Sequence, residues 1–97
     1  IPYYDKVLSL DPKNIEALNG KGAALDGIGN STGAIPYYDK VLTIDPKNID
    51  ALFNIGAALD NLGNRTGAIL YYDKVLVIDP KDNDALKAKS DDLATTG

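Results

Sequence analysis

Carboxylates and phenols are the side chains with chemistry to offer here: 14 aspartates and glutamates and 6 tyrosines stand in 97 residues that contain no histidine and no cysteine. That inventory removes the commonest general base, every thiol nucleophile, and the imidazole and thiolate ligands of transition metals. Paired acids alone can act as acid and base when their environments differ. Here they recur with a sequence repeat, at helix starts and on polar faces, so the chain reads as non-enzymatic, with no cofactor and no metal. Asp79-Pro80-Lys81-Asp82-Asn83-Asp84 has the outline of a calcium loop without the spacing, the sixth-position glycine or the closing glutamate of one; caps and a turn explain it. The pairs Tyr3-Tyr4, Tyr37-Tyr38 and Tyr71-Tyr72 suggest base stacking, but a net charge of −4 and a pI near 4.5 argue against phosphate binding, so nucleic acid is not expected. Asn30-Ser31-Thr32 and Asn64-Arg65-Thr66 satisfy the glycosylation triplet, yet a turn asparagine and a helix-start threonine are wanted there in any case.

The elements that must position these groups come from an internal array. YYDKVLSLDPKN at Tyr3 to Asn14 returns as YYDKVLTIDPKN at Tyr37 to Asn48 and as YYDKVLVIDPKD at Tyr71 to Asp82, a period of 34 residues. Residues 15–48 and 49–82 agree at 24 of 34 positions. A period of this length marks one supersecondary unit stacked on copies of itself, an architecture suited to binding surfaces more than to catalytic pockets. The expected organisation is one domain: 1–14 as the second helix of a truncated preceding unit, 15–48 and 49–82 as complete units, and 83–97 as a C-terminal capping helix and tail. No apolar run approaches the roughly 18 residues of a membrane span. The absence of cysteine leaves localisation open, with a cytoplasmic setting slightly favoured. A first residue that is not methionine, in a chain without any methionine, points to a piece of a longer protein.

Each unit reads as two helices. Leu18, Gly22, Leu25 and Ile28, and then Leu52, Ile55, Gly56, Leu59 and Leu62, recur at the three- and four-residue steps of one helix face. Asn14, Asn48 and Asp82 precede these segments as N-caps, and Glu16, Asp50 and Asp84 place negative charge in the first turn, where the helix dipole favours it. Gly29 and Gly63 suit a left-handed C-terminal cap. The second helix carries Ala34, Ile35, Tyr38, Val41 and Leu42, repeated as Ala68, Ile69, Tyr72, Val75 and Leu76. It ends at Asp45-Pro46 and Asp79-Pro80, since proline disfavours helical geometry before it. Thr32 and Thr66 are the expected caps of this helix, and Pro36 is expected to delay its regular portion by one or two residues.

At this point the residues resemble the tetratricopeptide repeat family. A small residue inside the first helix, an alanine early in the second, an aromatic four residues later and a closing proline stand at Gly22, Ala34, Tyr38 and Pro46, and again at Gly56, Ala68, Tyr72 and Pro80. Leu18 and Leu52 replace a frequent tryptophan, and Val41 and Val75 a usual alanine. Lys21 replaces a usual core leucine, which implies a looser first unit with the amine reaching water.

The resemblance implies an all-α fold: a right-handed alpha-alpha superhelix, or solenoid, of antiparallel helix pairs, about six helices in all. The first helix of each pair would line a concave groove that holds a peptide or a partner segment. That groove would present Glu16, Asn19, Ala23 and Asp26, then Asp50, Phe53, Asn54, Ala57 and Asp60, then Asp84, Lys87, Ala88 and Asp91. Of these, Asn19, Asp50, Phe53, Asn54, Ala57, Asp60, Asp84 and Lys87 are the candidate partner-binding residues. The surface is acidic, so its expected ligand is a basic protein or peptide segment, with Phe53 as aromatic anchor and Asn54 bonding the peptide backbone. The acids are also what helix starts and solvated faces want. One subclass of the family clamps a peptide carboxylate with lysine, asparagine and arginine. The matching places here hold Asn19, Ala23, Asn54, Asp84 and Ala88, so only Asn54 agrees and an acidic C-terminal peptide is disfavoured.

The ends carry the alternative reading. Lys87, Lys89, Ser90, Asp91 and Asp92 make a polar C-terminal cap, whereas Tyr4, Val7, Leu8 and Leu10 leave an apolar N-terminal face. That face would serve a structural assembly module that self-associates as a homo-oligomer through its N-terminal helix.

Overall fold

The computed structural model describes residues 2–96, which form six helices: α1 (Pro2–Leu10), α2 (Ile15–Gly27), α3 (Ser31–Ile44), α4 (Ile49–Asn61), α5 (Arg65–Ile78) and α6 (Asn83–Thr96). Each helix packs on the next in the chain, and α2 also touches α4 across the repeat; consecutive second helices make at most marginal contact. The result is the expected solenoid, 45 Å long, 27 Å wide and 18 Å thick.

The caps explain why the helices begin and stop where they do. Oδ1 of Asn14, Asn48 and Asp82 accepts from the amide three residues on, at Ala17, Ala51 and Ala85, over 2.9–3.0 Å. Gly29 and Gly63 adopt φ of 87° and 83°, a region that costs other residues strain. Around them the Asn30 and Asn64 amides donate to the Leu25 and Leu59 carbonyls at 2.8 Å, and the Gly29 and Gly63 amides to those of Asp26 and Asp60 at 3.0 Å. This is the paired closure of a Schellman motif.

The second helices start earlier than the threonines suggest. Their caps are Asn30 and Asn64, whose Oδ1 atoms accept from the Gly33 and Gly67 amides at 2.9 Å, so Thr32 and Thr66 lie inside the first turn. Each asparagine thus closes one helix with its amide and opens the next with its side chain. Pro36 does not delay α3; it sits within the helix and removes one ladder bond, which its counterpart Leu70, 60% exposed, retains the amide to make.

Packing repeats with the sequence. Tyr38 and Tyr72 are 1% and 2% exposed, and each lies against a glycine of its own unit: a methyl group at Gly22 or Gly56 would sit 2.5 Å from the ring. Leu18, Ala34, Val41, Ala51 and Ile55 complete the first core, and Leu52, Ala68, Val75 and Ala85 the second. Lys21 adds a partner to the expected picture. Its amine reaches the surface, where it forms an exposed pair with Asp5 of α1 and lies 4.9 Å from the centre of the Tyr37 ring. The hydrogen bond to Asp5 is the largest cause that raises the lysine pKa, followed by one to Tyr37. A polar side chain at a core place here links α2 to α1 through an exposed ion pair.

Candidate peptide groove

The face shared by the first helices is held at both ends by side chains. Asn19 Nδ2 donates to Oδ1 of the cap residue Asn48 at 3.4 Å, and Asn61 Nδ2 donates to Asp26 Oδ1 at 3.3 Å, so α2 and α4 are tied near their starts and near their ends. Between these ties lie Phe53, Asn54 and Ala57, all half-buried. Phe53 is not a free-standing anchor: its ring rests on Tyr72, centroids 5.4 Å apart and planes tilted by 44°. The contact fixes the ring and leaves part of it open, a low-entropy arrangement for an aromatic contact.

The acids divide into two groups. Glu16, Asp50 and Asp84 are exposed in the first turns of α2, α4 and α6, in register at the 34-residue period. Lys87 is exposed one turn beyond Asp84. Asp26 and Asp60 are instead engaged with the fold. The Ser31 hydroxyl donates to Asp26, and the Tyr72 hydroxyl donates to Asp60 Oδ2 at 2.8 Å. Burial and the nearby Asp26 charge push the Tyr38 phenol up to about 12; burial and the Asp60 bond push Tyr72 higher still. Asn19 is likewise spent on Asn48, with its Oδ1 buried. Of the predicted binding residues the structure therefore leaves Asp50, Phe53, Asn54, Ala57, Asp84 and Lys87 with surface open to a ligand, and gives Asn19 and Asp60 structural partners.

One polar cluster escaped the sequence reading. Asp92 of α6 is 6% exposed, so of the polar residues expected to solvate the cap this one faces inward, and Lys89 pairs with Asp73 at 2.7 Å. Burial is the main cause that lifts the Asp92 carboxyl from 3.8 to about 6, followed by its hydrogen bond with Asp60 and the Asp60 charge, with Arg65 pulling the other way. The signal was available in register: Asp92 occupies the place of Ala24 and Ala58, of which Ala58 is fully buried. The acid pair brings Asp60 of α4 against Asp92 of α6.

An all-helical array of paired helices with a shared first-helix face defines the class of protein: a helical-repeat solenoid. Two tetratricopeptide repeat profiles match the chain, one over residues 28–91 and the other over residues 1–49. The chain belongs to the tetratricopeptide repeat family. Comparison with curated protein sequences finds no match. Among solved structures it superposes on the first tetratricopeptide domain of Spaghetti (RPAP3), bound to the HSP90 peptide SRMEEVD, with a TM-score of 0.90 and 19% identity over 96% of this chain and 74% of that one. It is also similar to YrrB, described as having an unusual peptide-binding site, with a TM-score of 0.88 and 30% identity over 93% of this chain and 46% of that one. For MamA the values are 0.86 and 26%, over 97% and 55%. The chain thus spans about half the length of YrrB and MamA.

Proposed function

We propose that this chain is a non-enzymatic interaction scaffold whose first-helix face binds a basic, extended or helical segment of a partner protein. The observation that carries the reading is the register of Glu16, Asp50 and Asp84, three exposed carboxylates at the same place in successive first helices, beside the pinned ring of Phe53. A row of one sign on a shared face focuses its field on a cationic ligand and accelerates encounter, with an effect that salt screens. Asn54 bonds the ligand backbone, and Lys87 and the α6 surface mark the end of the track. YrrB, a neighbour of the same fold at 30% identity, is described as having a peptide-binding site, which supports a peptide-binding role. The glutamate-rich peptide of the Spaghetti (RPAP3) domain is the opposite of the ligand proposed here, because the clamp cations have no counterpart at Asn19, Ala23, Asp84 and Ala88.

The test is a titration with lysine-rich synthetic peptides at low and high salt. Phe53→Ala combined with Asn54→Ala is expected to weaken binding about 30-fold, an anchor loss of ~2 kcal/mol, without changing the solution mass. Equal binding by the double variant sinks the proposal. A second reading, self-association through α1, has its own observation: Tyr3 and Leu10 are 72% and 81% exposed on that helix. Sedimentation across a concentration series separates the two, since a constant monomer mass removes the second.

A further inference from the structure

The opposite side of the array carries features that the groove does not use. Between α3 and α5 an open cleft of about 400 Å³ is lined by Leu42, Pro46, Leu52, Lys74, Val77 and Ile78. One repeat earlier, between α1 and α3, a cleft of about 200 Å³ is lined by Pro12, Lys13, Leu18, Lys40, Thr43 and Ile44. Five of these places correspond at the 34-residue period: proline, leucine and lysine are common to both, Thr43 answers to Val77, and Ile44 to Ile78. The clefts exist because consecutive second helices barely touch, which leaves a gap floored by the leucine of the first helix beneath. They lie within the array, so nothing stacked on either end covers them.

Two properties of these clefts lack a folding explanation. First, Ile44 and its counterpart Ile78 are 41% and 37% exposed, and Val77, where the preceding unit has Thr43, is 83% exposed, so apolar side chains are held in water beside both clefts. Second, in a chain of net charge −4, the charged residues lining these two clefts are lysines, and the one carboxylate of the adjoining cavity between α1 and α3, Asp5, is paired with Lys21. Lys74 is held 4.4 Å from the centre of the Tyr71 ring and Lys40 5.3 Å from that of Tyr37, so the cations are steadied at the rims by aromatic faces. Of the neighbouring carboxylates Asp73 pairs with Lys89, while Asp45 and Asp79 accept from the Lys47 and Lys81 amides within their turns and Asp39 is exposed beside Lys40.

We infer that the second-helix side is a separate docking surface for an acidic polypeptide segment that seats apolar side chains in the two clefts and pairs its carboxylates with Lys40 and Lys74. The chain then presents faces of opposite preference, a carboxylate row for cationic ligands and lysine-rimmed apolar clefts for anionic ones. Apolar burial in the clefts supplies the anchor, and the lysines select the sign and speed the encounter.

The test is a methyl and amide NMR titration of the 97-residue chain with a synthetic amphipathic peptide of leucine and glutamate, and with its counterpart in which lysine replaces glutamate. The glutamate peptide is expected to shift Leu42, Ile44, Val77 and Ile78, and to weaken as salt is raised. Val77→Glu and Lys74→Glu should each weaken it about tenfold or more, while Phe53→Ala leaves it unchanged. Val77 is open enough to water for its variant to fold. Shifts confined to α4 and Phe53, equal binding of the lysine peptide, or no binding overturns the proposal. So does a solution mass that rises with concentration and falls back in Val77→Glu, which would make a second copy of the chain the occupant.

Discussion

The joint between residues 15–48 and 49–82 and the joint between the second unit and α6 are built from the same template, yet they are joined differently. At the inner joint Ala58 is fully buried, and Asp26 is answered by neutral donors, Ser31 and Asn61. At the outer joint Asp92 stands in the alanine place and Arg65 in the serine place, and Asp60 is answered by Tyr72 and by Asp92 itself. A buried carboxylate among other charges is costly unless it is paired or protonated. The inner joint is thus completed by neutral hydrogen bonds, whereas the outer one adds a buried acid pair to the packing of Ala85 in the second core. In a repeat protein, two substitutions at an interface are enough to convert a permanent contact into a conditional one.

The largest effects expected come from removing the buried rings. Tyr38→Ala and Tyr72→Ala should each cost about 3–5 kcal/mol, read from urea unfolding followed by circular dichroism. Tyr72→Ala should be the worse of the two, since it also strips Asp60 of a donor and Phe53 of its support. The reverse order would erase the distinction between the joints.

Next in size is Asp92→Ala, which restores the inner-joint residue. Because its folded-state pKa is raised from 3.8 to about 6, the folded chain holds this proton more tightly than the unfolded chain does. Its stabilising contribution is full below about pH 4 and is lost as pH rises through about 6. Thermal unfolding between these values should show the wild type gaining on Asp92→Ala as pH falls, while at pH 7 the variant is the more stable, by roughly 1–2 kcal/mol or several degrees. Parallel curves for the two proteins would place Asp92 outside the electrostatics of the joint.

The smallest change sharpens the same contrast. Tyr72→Phe should cost about 1 kcal/mol, the loss of one hydrogen bond to a half-buried carboxylate. Tyr38→Phe should cost less, because Ser31 and Asn61 already serve Asp26. Equal losses in denaturant midpoint would refute the unequal wiring.

The division between what the sequence disclosed and what it concealed follows the reach of each interaction. Asn14, Asn48, Asp82, Gly29 and Gly63 act over three to five residues, so their roles could be read directly, and the repeat supplied the helices and their stacking. Asn30 and Asn64 were misread as mere turn residues because a threonine two places on is an acceptable cap. The decisive feature was the glycine three residues after each asparagine, whose missing side chain leaves room for the capping carboxamide: a methyl group there would lie 2.5–2.7 Å from its nitrogen. Lys21 with Asp5, Phe53 with Tyr72, and Asp60 with Asp92 join different helices, and pairings of that kind depend on the angles at which helices stack. The groove acids show the same limit. Periodicity brought Asp50 and Asp60 to one helix, but only the packed structure separates the exposed carboxylate from the one that holds a phenol.

The uneven contact between neighbouring units also gives the array a mechanical character. The first helices α2 and α4 touch and are laced together by Asn19 with Asn48 and by Asn61 with Asp26, whereas the second helices stand apart. Such a body bends as a leaf spring does, stiff along the laced side and compliant along the gapped one. Tension on its ends should spread the gaps long before it parts the laced helices, and anything wedged between α3 and α5 would stiffen the spring and fix its curvature.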